Sequence, residues 1–180
     1  PPNPPDAGVM LRELAGPAAT MLHGAAEESL PGPRAWSEQA WGSALWAAPG
    51  QWLLLHARGT VPPFPASRMT PLHGARSVLE VAGPRAAEAL ATLLPIDLHP
   101  SAFGPQAAAA TVAAHVPVMV WRAGEGFRLS CYRSYALSLA GAVLAAGRGR
   151  GAAPLRWWAG SGGGVSQRGS GRTGWSGRCA

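Results

Sequence analysis

The sequence predicts an α+β fold, a mostly antiparallel sheet with interspersed helices, and three observations carry that prediction. Short apolar runs are parted by turn residues, as hairpin strands require: Ala44–Ala47 and Trp52–Ala57 flank Ala48-Pro49-Gly50-Gln51. Phe127, Leu129 and Cys131 alternate with Arg128, Ser130 and Tyr132, the two-residue period of a half-buried strand. Two longer stretches, Pro84–Leu94 and Ser134–Ala146, carry apolar residues three or four apart, the period of a helix.

The elements follow in order. Pro1–Gly8 is a proline-rich lead expected to be disordered, Val9–Leu14 reads as a short strand, and Pro17–Glu28 as a helix with a weak apolar face. Pro31 and Pro33 make Leu30–Arg34 a connection, and three prolines make Val61–Met69 a loop. Ser77–Val81 is a strand stopped by Gly83-Pro84. Pro84 suits the first position of a helix, where its missing N–H would lack a partner anyway, and Ala87, Leu90, Ala91 and Leu94 then form one stripe. Pro95 ends that helix, Ile96–Pro105 is a loop, and Ala108–Ala114 and Val116–Arg122 are two more strands, Pro117 marking an edge position or a strand start. Ser134 caps the last helix, with Tyr135, Leu139 and Val143 stacked four apart and Gly147 as its stop. The expected organisation is a poorly ordered segment 1–35, an α+β domain 36–147 and a disordered Gly/Ser/Arg tail 148–180.

Charge supports that division. Among the 180 residues there is no lysine; all 15 basic residues are arginine, against nine acids. Six arginines and no acid lie beyond Gly147, so the preceding residues are formally neutral and the net charge of +6 belongs to the tail. A nucleic-acid-binding domain is therefore not expected. With no lysine, a phosphate-binding P-loop is excluded. Cys131 and Cys179 are too few for a disulfide framework, no zinc-type spacing occurs, and no apolar run reaches the length of a membrane span. Pro1–Asp6 lacks the features of a secretory signal, so a cytoplasmic location is expected.

Few residues suggest chemistry. Gly169–Gly174 spells G-x-G-x-x-G but lacks a preceding strand and a downstream acid, so it is not read as a dinucleotide site. Asp97 and His99 could pair for acid–base work, yet in a proline-flanked loop they more simply bond to turn backbone. Cys131 shares a strand face with Phe127 and Leu129, which reads as core. His23, His56, His73 and His115 are isolated. No catalytic, cofactor-binding or metal-ligating residue is expected. Arg148-Gly149-Arg150-Gly151 with Trp157, Trp158 and Trp175 has the letters of an RNA-binding tail, which keeps an RNA-associated role as an alternative.

Three stretches between Ala44 and Ala146 resemble the gamma subunit of heterotetrameric sarcosine oxidase. They are Leu45–Leu55, reading L-W-A-A-P-G-Q-W-L-L-L; Arg76–Phe103, with P-I-D-L-H-P-x-x-F as its most specific part; and Phe127–Leu129 through Tyr132-Arg133-Ser134-Tyr135-Ala136. The resemblance implies a reduced relative of the aminomethyltransferase (glycine cleavage T-protein) fold, similar to its N-terminal part. It also implies a non-catalytic structural subunit of a bacterial complex that oxidatively demethylates sarcosine to glycine. That complex makes hydrogen peroxide and passes the one-carbon unit to tetrahydrofolate. FAD, FMN, NAD, zinc and tetrahydrofolate would sit on the other subunits, alpha, beta and delta. Trp52, Arg76 and Arg133 are the candidate partner-interface residues, arginine and tryptophan being common interface anchors. A stand-alone folate-binding domain is the alternative, for which Glu80 and Asp97 are the acids in the right region.

Overall fold

The computed structural model describes residues 8–14, 17–24, 28–72, 74–148 and, as backbone, 156–159. Among these, the strands are β1 (Met10–Glu13), β2 (Ala18–His23), β3 (Trp36–Gln39), β4 (Gly42–Ala48), β5 (Gln51–His56), β6 (Met69–Pro71), β7 (Arg76–Ala82), β8 (Ala108–Ala113), β9 (Val116–Ala123), β10 (Gly126–Tyr132) and β11 (Arg156–Ala159). Helix α1 (Ala86–Ala91) follows β7, and α2 (Ala136–Arg148) follows a single 3-10 turn, Arg133–Tyr135. The strands form two sheets, in the orders β11-β1-β7-β10-β9-β8 and β3-β4-β5-β2-β6. Every pairing is antiparallel except β11 on β1.

Alternation along the strands of the first sheet feeds two cores. Leu79, Val81, Val118, Val120, Phe127, Leu129 and Cys131 face the helices, where Ala86, Leu90, Leu139 and Val143 close over them. Their neighbours Val78, Met119 and Trp121 face the second sheet and pack on Ala19, Leu45, Leu53 and Leu55. A third cluster lies on the far side of the second sheet, where Leu30 and Phe64 cover Leu22, Trp52 and Leu54. The layers are therefore helices, sheet, sheet and loops. Each fully buried leucine among them contributes roughly 1.5–3 kcal/mol relative to exposure.

The α+β class, the mostly antiparallel sheets and the hairpin Ala48–Gln51 agree with expectation; the hairpin also carries a bulge between Trp46 and Ala48. Several local expectations are corrected. Residues 18–23 are strand, not helix, because β2 is hydrogen-bonded on both edges, to β5 and β6, which outweighs a weak helical stripe. β1 and β2 lie within 1–35 yet enter the two sheets, so the packed unit begins well before Trp36. In α1 the stripe is turned by one position: Ala86, Ala89 and Leu90 are buried, whereas Ala87 and Ala91 are exposed. Ser130, expected on a solvent face, is fully buried because the second sheet covers that side. Loop 61–69 ends in a 3-10 turn, Ala66–Arg68, and the start of the unexpected strand β6. Of the tail expected to be disordered, Arg148 ends α2 and Arg156–Ala159 forms β11; the remainder lies outside the described residues, as do Pro1–Ala7 and the glycine-rich motif.

The most specific sequence run is explained by packing. Leu98 and Phe103 of the loop 96–105 are buried against the helix-side core. Asp97 Oδ1 accepts the His99 backbone N–H at 2.8 Å, and His99 Nδ1 lies 2.7 Å from Ser101 Oγ. Arg122 reaches across from β9, donating from Nε to the Phe103 carbonyl (2.7 Å) and from Nη2 to the Leu98 carbonyl (2.8 Å). Its guanidinium also lies 4.7 Å from the Phe127 ring centroid.

Candidate functional site

Of the three residues proposed for contact with a partner, two share a corner and one is interior. Trp52 is 2% exposed, packed under Leu30 and Phe64, and donates its indole N–H to the Pro31 carbonyl at 2.9 Å. It is a core anchor with no surface to offer, a correction to its expected role. Arg76 opens β7 opposite Tyr132, the last residue of β10. Its guanidinium stacks 4.3 Å from the Tyr132 ring centroid. Burial lowers the Arg76 pKa from its ordinary value, while Tyr132 and Cys131 pull it back up.

Arg133 begins the 3-10 turn immediately after Tyr132. Its backbone N–H donates to the Ala75 carbonyl at 2.8 Å and its Nε to the Gly74 carbonyl at 2.6 Å, fixing the turn against the approach to β7. Further along the chain, Tyr135 is 45% exposed and Leu137 is 83% exposed. Tyr135 does not stack with Leu139 and Val143 as expected, because the 3-10 turn breaks the α-helical phase before Ala136. The sequence reading gives Tyr132 and Leu137 no role. A helical wheel provides the signal for Leu137: two residues before Leu139, it falls on the opposite side of α2.

The remaining candidates serve the architecture. Glu80 bridges two arginines, Arg12 Nη2 at 2.7 Å and Arg128 Nε at 3.1 Å, across three adjacent strands. Asp97 and His99 bond within their own turn, as expected. Cys131 is buried in the helix-side core, and burial raises its thiol pKa against a smaller opposing effect of Arg76. His56 lies 3.1 Å from both Thr20 Oγ1 (through Nε2) and the Ala57 carbonyl (through Nδ1). His73 lies outside the described residues.

A cleft of about 600 Å³ opens at one end of the sandwich between the sheets, lined by Leu14, Glu38, Ser43, Arg58, Trp121 and Arg128. The Trp121 indole N–H is buried without a partner among the described residues. Among those residues no cluster of three metal-ligating side chains occurs, and no helix is long and apolar enough to cross a membrane.

Known structures first define the class. The fold is that of glycine cleavage system aminomethyltransferase T from Bartonella henselae: TM-score 0.60 at 15% identity, covering 85% of this chain and 48% of that one. A chain of the heterotetrameric sarcosine oxidase from Corynebacterium sp. U-96, solved with pyrrole 2-carboxylate, superposes with a TM-score of 0.66. That match is 24% identical and covers 84% of this chain and 89% of the other.

Sequence similarity then points to one subunit type. The sarcosine oxidase gamma subunit of Corynebacterium sp. (strain P-1) is 37% identical over 95 residues, 46% of this chain and 45% of that protein. The gamma subunit of an Arthrobacter sp. is 54% identical over 50 residues, 28% of this chain and 25% of that protein. The resemblance to sarcosine oxidase gamma subunits is thus borne out, over less than half the length of these curated relatives. No family model matches the chain.

Proposed function

We propose that this chain is a gamma-type, non-catalytic subunit of a heterotetrameric sarcosine oxidase. The 37% identity to a gamma subunit supports this reading most directly, and the superposition on a chain of the heterotetramer agrees with it. Internal chemistry points the same way. Among the described residues, Glu80, Asp97, His56 and Arg122 all serve salt bridges, turns and loop anchoring. In this reading the assembly oxidatively demethylates sarcosine to glycine, forms hydrogen peroxide and passes the one-carbon unit to tetrahydrofolate. The flavins, NAD, zinc and folate reside on alpha, beta and delta partners in the cytoplasm.

The test is co-purification of tagged chain from its native lysate, followed by an absorption spectrum and a peroxide assay. A flavin band with sarcosine-dependent peroxide supports the role; a colourless eluate of this chain alone overturns it. A stand-alone folate-binding domain would need a carboxylate free to grip the pterin, and Glu80 and Asp97 are both engaged. Binding heat on titration with tetrahydrofolate would favour that alternative.

A further inference from the structure

We infer that the free edge of β8, at Ala110 and Val112, is a strand-addition site for an extended, uncharged segment of another subunit of the proposed oxidase. The inference deepens the proposed subunit role and rests on it.

Backbone geometry is the first argument. β8 and β9 are joined by the two-residue turn Ala114-His115, so Ala113 and Val116 are the hydrogen-bonded pair that closes the hairpin. Hydrogen-bonding groups alternate sides along a strand; Ala113, Thr111 and Ala109 turn theirs to β9, and Val112 and Ala110 turn theirs outward. The same phase shows earlier on this edge. The Ala108 N–H donates outward to the Arg34 carbonyl at 2.9 Å, and the Gln106 carbonyl accepts the Trp36 N–H at 2.9 Å. The chain thus lays a short antiparallel segment of its own on β8, through the Ala35–Ala107 bridge. A turn closed by the Ala35 N–H on the Gly32 carbonyl, with Pro33 and Arg34 (φ +59°) at its centre, ends that pairing short of Ala110. Among the described residues no backbone group meets the outward N–H and C=O of Ala110 or Val112. Ala110 is exposed and Val112 is 46% exposed.

Composition is the second argument, and it selects the partner's chemistry. Sheet edges are ordinarily guarded by charge, proline or brevity. β3 carries Glu38, β6 is three residues long and ends in Pro71, and β11 begins at Arg156. β8 reads Ala-Ala-Ala-Thr-Val-Ala, six residues without charge, glycine or proline. An extended peptide continues the ladder at Ala110 and Val112, its side chains beside those two on one face and beside Thr111 on the other. Small or β-branched uncharged residues suit such neighbours, and a charged one finds no counter-charge on β8. A second copy paired through the same edge about a two-fold axis would share only this short run, against the roughly 800 Å² per partner of a stable interface. A strand that arrives as part of a larger subunit contact meets no such limit.

The test titrates immobilised full-length chain with the remaining sarcosine oxidase subunits of its source, co-expressed without it. Val112→Lys, which puts a charge on the edge, is expected to weaken binding by about tenfold or more. Ala110→Pro removes an outward N–H that the hairpin does not use and should weaken binding alike. Val61→Lys, at a residue 77% exposed and outside β8, should bind as the unmodified chain does. Thermal melting confirms folding; since Val112 is 46% exposed, its variant keeps the test open even where Ala110→Pro does not fold. Hydrogen exchange supplies a second readout: the amides of Ala110 and Val112 should exchange freely in the isolated chain and about tenfold or more slowly in the complex. If the subunits bind every variant equally, or the two amides stay unprotected in the complex, this edge is wrong while the subunit role stands. If the unmodified chain binds none of them, both fail. A dimer of the chain alone that protects the same two amides would make a second copy the occupant and overturn the inference.

Discussion

Replacing Arg122 by alanine should destabilise the chain by about 3.5 kcal/mol. Its side chain makes two hydrogen bonds to carbonyls of one loop, at 2.7 and 2.8 Å, and lies over Phe127 at 4.7 Å. A hydrogen bond with a charged partner contributes about 1.5 kcal/mol at the low end, fitting for a half-buried guanidinium, and the ring contact adds about 0.5 kcal/mol. Lysine keeps the charge but lacks the fork, so it can restore at most one of the two bonds and recover roughly half the loss. Urea unfolding reads both variants: with a slope of ~2 kcal/mol per molar, alanine should lower the midpoint by about 1.7 M at unchanged slope. Limited proteolysis within residues 96–105 should accelerate in parallel. A midpoint within about 0.3 M of the unmodified chain, or full rescue by lysine, would refute the claim that Arg122 anchors this loop.

Further predictions concern backbone and titration. Gly42 has φ +144°, and a Cβ there would overlap the Leu55 carbonyl oxygen, so Gly42→Ala should cost about 3 kcal/mol by thermal unfolding. Ala114 and His115 form the two-residue turn between β8 and β9 with φ +46° and +67°, a conformation suited to Asn-Gly. The double substitution Ala114→Asn/His115→Gly should therefore raise Tm by about 3 °C, and no rise would contradict the assigned turn strain. Burial raises the Cys131 pKa, so folding favours the neutral thiol. Its contribution is present below the ordinary thiol pKa of about 8.5 and is lost as pH rises above it. In a Cys179→Ser background, a thiol reagent at pH 8 should label the chain only on unfolding; labelling at the native rate of an exposed thiol would contradict this.

Legibility from sequence followed the range of the interactions. The hairpin at Ala48–Gln51 and the strand Phe127–Tyr132 were readable because local alternation and turn chemistry suffice for them. β2 was misread because its strand character comes from β5 and β6, distant in sequence. Ser130 shows the same limit: strand period separates two faces but cannot say that a second sheet covers the polar one. At the candidate site, Arg76 and Arg133 were selected by residue type, and the structure places them at one corner. Trp52 has the same interface-prone chemistry, yet only packing shows that loop residues Leu30 and Phe64 enclose it. The stacking of Tyr135 four residues before Leu139 rests on an α-helical period that does not hold through a 3-10 turn.

β7 contributes Leu79 and Val81 to the helix-side core and Val78, one position before Leu79 and on the other face of the pleat, to the core shared with the second sheet. The chain also crosses between sheets repeatedly, from β1 to β2 and from β6 to β7. The second sheet, β2–β6, is inserted within the first, whose β1 precedes it and whose β7–β11 follow it, and neither can shed its partner without opening the core that Val78, Met119 and Trp121 share with Leu45, Leu53 and Leu55. The two layers therefore melt as one cooperative unit, with calorimetric and van't Hoff enthalpies in agreement. A lesion in either layer is felt as a loss of the whole, and splitting the gene between the sheets yields no independently folding half.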